Sequence, residues 1–108
     1  MKINWNEMWA ATQADPEKIN NIEFWDGFAP TYRKKNDEPD PYIEQFYEYM
    51  DPRPGETLFD MGCASGVLAI PFALKGHEVY AADFSAEMLK HLRMGAEEAG
   101  VSDRIHTI

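Results

Sequence analysis

The sequence predicts an α/β fold, with parallel strands and crossover helices behind a helical preface of about fifty residues. Three observations predict it. The run Leu58-Phe59-Asp60-Met61-Gly62-Cys63-Ala64-Ser65-Gly66 passes from apolar residues through an acid and two glycines into helix-like sequence. That is the order of a buried strand, a tight turn and a helix start. A second apolar run, Val79-Tyr80-Ala81-Ala82, closes on another acid, Asp83. Ahead of Thr57, by contrast, apolar residues recur at helical spacing.

Each element follows from local chemistry. Trp5, Met8 and Trp9 share a helical face, with Asn4 or Asn6 available as a cap. Asp15-Pro16 reads as a second helix start, with Ile19, Ile22, Phe24, Trp25 and Phe28 as its apolar surface. Pro30 disfavours helical geometry at Ala29, so two short helices and a bend are expected. Asn36 to Pro41 reads as a polar loop, and Asp40-Pro41 repeats the cap-plus-proline signal. Ile43, Phe46, Tyr47 and Met50 then lie on one face, with Glu44 and Glu48 on another. Asp51-Pro52-Arg53-Pro54-Gly55 stops this helix before the first strand at Leu58-Phe59.

A helix from about Ser65 to Lys75 is expected to end at Gly76. Pro71 inside it removes a hydrogen bond to the Val67 carbonyl and predicts a kink. Ser85 caps the next helix, Glu87 suits its first turn, and Met88, Leu89, Leu92, Ala96 and Ala99 form its core stripe. Gly100 ends it, and Ile105 to Ile108 opens a third strand.

Composition narrows the function. A chain of 108 residues holds one domain, and its aromatic and aliphatic content is enough for a core. The net charge of −9 argues against nucleic acid as a partner, because phosphate binding needs Lys and Arg. The one basic cluster, Arg33-Lys34-Lys35, is followed at once by acids and reads as a solvated turn. Cys63 is the only cysteine, so no internal disulfide forms, and no Cys/His spacing suggests zinc or another metal. The N-terminus lacks the apolar core of a signal peptide, and no run approaches membrane-spanning length. A cytoplasmic location with no membrane partner is expected.

The glycine turn places backbone N–H groups and a positive helix end close to a ligand. An acid about 20 residues beyond such a turn is placed to accept hydrogen bonds from a ribose, and Asp83 meets that condition. The pattern therefore reads as a site for a nucleoside-containing cofactor. A dinucleotide fingerprint needs small residues at Gly62, Ala64 and Val67, and valine fails the third. No Lys followed by Ser or Thr comes after the turn, which removes a P-loop.

What remains is D-x-G-x-x-x-G from Asp60 to Gly66, then L-A-I-P-F-A-L-x-G-H-x-V-x-x-x-D-x-S-x-E-M-L from Leu68 to Leu89. This resembles the S-adenosylmethionine-dependent methyltransferases of Rossmann-like fold, over Thr57 to about Arg93. The resemblance implies S-adenosylmethionine as cofactor. Residues 56–108 would then supply the first half of the cofactor-binding domain, with its first three parallel strands, behind a helical extension or cap over 1–55. The family carries glycine where this chain has Ala64, and alanine fits there if the residue keeps a negative φ.

By the same resemblance, Gly62, Cys63, Ala64 and Gly66 let the backbone approach the methionine part of the cofactor, and Asp60 helps to orient it. Asp83 would accept the two ribose hydroxyls. Phe84 would pack on adenine, with Met88 lining the pocket, and Tyr32 resembles an N-terminal tyrosine laid over the cofactor, with Trp25 a similar candidate. A helix N-terminus beside Cys63 would lower its pKa, though filling the turn is the simpler role. His77, His91 and His106 are scattered and carry no catalytic expectation; no catalytic residue is identified.

The acidic surface favours a small-molecule acceptor. A sheet of three strands leaves an open edge, so the chain reads as an N-terminal fragment, inactive alone, or as a module completed by a homodimer or partner chain. A non-catalytic cofactor-binding or assembly module is the alternative to an enzyme, with a nicotinamide-dependent oxidoreductase third.

Overall fold

A computed structural model describes residues 2–13, 21–32 and 40–108. Three helices precede the sheet: α1 (Trp5–Gln13), α2 (Ile22–Tyr32) and α3 (Pro41–Met50). Then come β1 (Leu58–Met61), α4 (Ala69–Leu74), β2 (Val79–Ala82), α5 (Ala86–Glu98), a 3-10 turn (Ser102–Arg104) and β3 (Ile105–Thr107). The strands form one parallel sheet in the order β1-β2-β3, with Leu58 opposite Val79 and Val79 opposite Ile105. Among the described residues no helix is long and apolar enough to cross a membrane.

The expected caps fix the helix starts. Asn4 Oδ1 accepts from the Glu7 N–H at 3.2 Å, and Asp40 Oδ1 accepts from the Tyr42 N–H at 2.9 Å with Pro41 in the first turn. The Asp15-Pro16 start lies outside the described residues. Asn21 Oδ1 accepts from the Phe24 N–H at 2.8 Å, and α2 begins at Ile22. Contrary to expectation, α2 runs through Ala29 and Pro30. Its packing against α5 explains this: Ala29 is fully buried, and that contact outweighs the local preference.

The helix after the glycine turn is shorter than expected, starting at Ala69 rather than near Ser65. Ala64 and Gly66 both have positive φ, 49° and 95°, which α-helix geometry forbids. The later start makes Pro71 the third residue of the helix, in the first turn where proline is tolerated, so no kink is required.

The core sits on one face of the sheet. Val79 and Ala81 of β2 pack with Phe72 and Ala73 of α4 and Leu92 and Ala96 of α5. The opposite face carries Phe59, Met61, Tyr80 and His106, as strand alternation demands. His77, only 1% exposed, fastens α3 to this core. Its Nδ1 lies 2.7 Å from the Glu56 carbonyl, which can only accept, so Nδ1 carries the proton and donates. Its Nε2 is left to accept from the Tyr47 hydroxyl at 2.7 Å.

Candidate functional site

The carboxyl ends of β1 and β2 lie side by side, with Asp60 paired to Ala81 and Met61 to Ala82. The Gly62 and Cys63 N–H groups both donate to the Ala82 carbonyl, at 2.7 and 2.9 Å. The turn after β1 is thereby folded over the end of β2, where Asp83 stands. Asp83 bridges the two: its Oδ2 accepts from the Ala64 N–H and its Oδ1 from the Ser85 N–H, each at 2.9 Å. A carboxylate offers about four lone-pair positions, so roughly two remain for outside donors.

The condition under which alanine is expected to fit at position 64, a negative φ, is not met. At φ 49° Ala64 occupies the left-handed region, and the hydrogen bond to Asp83 holds it there. Gly66 answers a different demand. At φ 95° it lies so close to α5 that a Cβ would overlap Leu92 Cδ1 and press on Ile70. The close approach that a dinucleotide fingerprint places at the Val67 position is met here one residue earlier. Gly62, at φ 80°, has open space where a Cβ would stand, so its backbone is accessible from outside.

Beside the turn lies a cleft of about 190 Å³ lined by Asp60, Gly62, Cys63 and Ala64, and by Tyr42, Ile43, Phe46, Val67 and Leu68. Asp60 is half-buried in it and has no hydrogen-bond partner among the described residues. Burial, and secondly the Asp83 carboxylate, raise its pKa above the ordinary carboxylate value. The same influences act on Cys63. Burial first, then Asp60 and Asp83, push its thiol up to about 12, against the lowering that a helix N-terminus would bring. At 3% exposure Cys63 fills the turn and is no nucleophile.

Phe84 stands 55% exposed next to Asp83, while Met88 in the first turn of α5 is buried. Tyr32 ends α2, and its side chain lies outside the described residues. Trp25 is half-buried on α2 with its ring edge-on to Phe24 at 5.2 Å. The turn, Asp60, Asp83 and Phe84 are thus brought to one end of the sheet.

The α3 wall of the cleft, Tyr42, Ile43 and Phe46, was not among the expected site residues. Their spacing marks one helical face, but that signal is identical for core packing and for a cleft wall. The histidines stay apart from this site. His77 is the buried fastener described above, and His106 lies on the far sheet face, 2.7 Å from Glu78.

Comparison with known proteins places this geometry. A family model for a methyltransferase domain matches residues 59–108. A structure of an S-adenosylmethionine-dependent methyltransferase from Geobacter sulfurreducens, in complex with S-adenosyl-L-homocysteine, superposes with a TM-score of 0.66 at 22% identity. That match covers 82% of this chain and 36% of the other. An RNA methyltransferase from Salinibacter ruber, also in complex with S-adenosyl-L-homocysteine, gives a TM-score of 0.61 at 26% identity, over 66% of this chain and 47% of its own. A tRNA 5-carboxymethoxyuridine methyltransferase of Escherichia coli K12 is 39% identical over 51 residues, 47% of this chain and 20% of that protein. The chain thus spans less than half the length of each of these relatives.

The last two similarities overturn the exclusion of nucleic acid. Net charge argued against it, but −9 is an average over this chain. A segment spanning 20% of an RNA-modifying relative does not report the charge of the surface that meets the acceptor. Residues 59–108 match the methyltransferase-domain family model, within a chain that shares the Rossmann-like fold of structures of S-adenosylmethionine-dependent methyltransferases.

Proposed function

We propose that the protein is an S-adenosylmethionine-dependent methyltransferase in which residues 56–108 supply the first part of the cofactor site and residues 1–55 a helical cap. One observation carries the reading: Asp83, bridged to the glycine turn through the Ala64 N–H, keeps lone pairs free at the carboxyl end of the sheet. Those lone pairs suit the two hydroxyls of a ribose. Exposed Phe84 beside it offers a face for adenine, and Met88 is assigned to the lining of the same pocket. On the other side of the turn, Gly62, Cys63, Ala64 and Asp60, which has no hydrogen-bond partner among the described residues, line the cleft and suit the amino-acid end of the cofactor. Gly66 sets the turn's height above α5, and Tyr32 at the end of α2 is assigned to the cofactor's cover.

When bound, S-adenosylmethionine supplies an electrophilic methyl on a sulfonium. The chain's own task is to hold and align it, and alignment alone contributes roughly 7–11 kcal/mol in favourable systems. A label-transfer screen over RNA and small-molecule fractions would identify the acceptor. A cytoplasmic location is part of the reading, in keeping with a single, unpaired cysteine.

Titration calorimetry with S-adenosylmethionine, S-adenosylhomocysteine and NAD tests the assignment. Both sulfur nucleosides should bind and NAD should not; tighter binding of NAD would refute it. Asp83→Ala should weaken S-adenosylhomocysteine at least about tenfold, because hydrogen bonds to a charged acceptor are worth roughly 1.5–3 kcal/mol. Asp83→Asn should retain part of the affinity, since its carbonyl oxygen still accepts.

A further inference from the structure

The α2 helix meets the candidate site through one polar contact. Asp26 Oδ1 lies 2.5 Å from Ser85 Oγ, across 59 residues of sequence, and 3.5 Å from the Glu87 N–H. Ser85 is fully buried and is the N-cap of α5. We propose that Asp26 is a positioning residue, which sets the orientation of the Asp83 carboxylate through Ser85. This rests on the cofactor reading above.

The argument follows the hydrogens. An aspartate carboxylate only accepts, so the Ser85 hydroxyl hydrogen is committed to Asp26. That commitment turns the Oγ lone pairs to the Met88 N–H, 3.1 Å away, and fixes the cap in one rotation. The serine already caps the Met88 N–H by itself, so the bond between Asp26 and Ser85 Oγ adds to that cap, as does the longer contact of Asp26 with the Glu87 N–H. With Ser85 fixed, its own backbone N–H points at Asp83 Oδ1, 2.9 Å away, while the Ala64 N–H holds Oδ2 at the same distance. Asp26, Ser85, Asp83 and Ala64 thus form one chain of hydrogen bonds from the N-terminal helices to the glycine turn. Within it both oxygens of Asp83 are held, which sets the direction of the lone pairs that remain. Pre-orienting an acceptor in this way lowers the ordering cost of binding. Nothing in the sequence connects Asp26 with Asp83; only the packing of α2 on α5 does.

The test is calorimetry on the purified protein with S-adenosylhomocysteine and 5′-methylthioadenosine, two probes that share the ribose and differ at the amino-acid end. Asp26→Ala should weaken both by the same factor, about threefold to tenfold, in keeping with the loss of one link in a network. Asp26→Asn, whose Oδ1 still accepts, should restore most of the affinity. Ser85→Ala breaks the same link from the other side and should reproduce the loss, so the outcome does not hang on one variant's folding. In an Asp83→Ala background Asp26→Ala should cost nothing further. If Asp26 merely docks α2, urea midpoints will fall while the affinity of folded protein stays unchanged, and the proposal fails. It fails too if the double variant loses affinity additively or if only one probe is weakened. If the unmodified protein binds neither probe, the methyltransferase reading falls and takes this inference with it.

Discussion

Ala64 shows how the turn is held together. A non-glycine residue in the left-handed region costs about 1–2 kcal/mol, and here the cost is sustained by one hydrogen bond to Asp83. Ala64→Gly should therefore stabilise the protein by roughly 0.5–1 kcal/mol, the strain relieved less the entropy that glycine adds to the unfolded chain. A rise in the urea midpoint at constant slope would show it; a fall would mean that the strain is not real. Asp60 is the converse case, a group whose folded-state pKa lies above its unfolded value. Its protonated form contributes stability that is fully present below the ordinary carboxylate range and is lost as pH rises through the folded value. At neutral pH the ionised group is a liability that a cationic ligand group would offset. Asp60→Asn should unfold at higher urea than the parent at neutral pH, with the gap narrowing as pH falls toward the carboxylate range. Its affinity for S-adenosylmethionine should fall. A more stable variant that binds as well as the parent would remove Asp60 from the site.

At the scale of elements, the balance between local and tertiary forces decides which expectations survive. Asp40-Pro41 and Ser85 act within one turn of themselves, so their helices start where the sequence places them. β2 is legible because its residues form an unbroken apolar run, whereas only Leu58-Phe59 of β1 stand out before Asp60 interrupts it. The start of α4 and the passage of α2 through Pro30 are not legible, because positive φ at Ala64 and burial of Ala29 are products of packing. The same division runs through the site. Asp60, Gly62 and Asp83 announce themselves by spacing, whereas Asp26 and the Tyr42–Phe46 wall are brought in by helices whose docking no local pattern encodes. That docking is testable at Tyr47. Its hydroxyl is the partner of His77 Nε2, and Tyr47→Phe leaves a nitrogen in the core with no donor. The loss should be about 1–3 kcal/mol in urea unfolding, the cost of a buried group left unsatisfied. A neutral result would show that water reaches His77.

The molecule as a whole is unevenly built, and its stability should be graded accordingly. β2 lies between two strands with Val79 and Ala81 fully buried, and Leu92 of α5 is equally sealed. At the other extreme, α1 leaves Trp5 69% and Met8 54% exposed. Opening free energies track such differences in burial, so amide exchange should be slowest in β2 and α5 and fastest in α1. Trp5→Ala and Met8→Ala should each shift global stability by less than about 0.5 kcal/mol, the range expected of exposed side chains. The glycine turn belongs between these extremes, because its amides are held by Ala82 and Asp83 yet face an open cleft. Adding S-adenosylhomocysteine should slow exchange from Gly62 to Gly66 and from Asp83 to Ser85, and leave α1 unchanged. Slowing confined to α1 and α2 would put the ligand on the helical preface instead. Equal protection of α1 and β2 without ligand would mean that α1 is packed as firmly as the core.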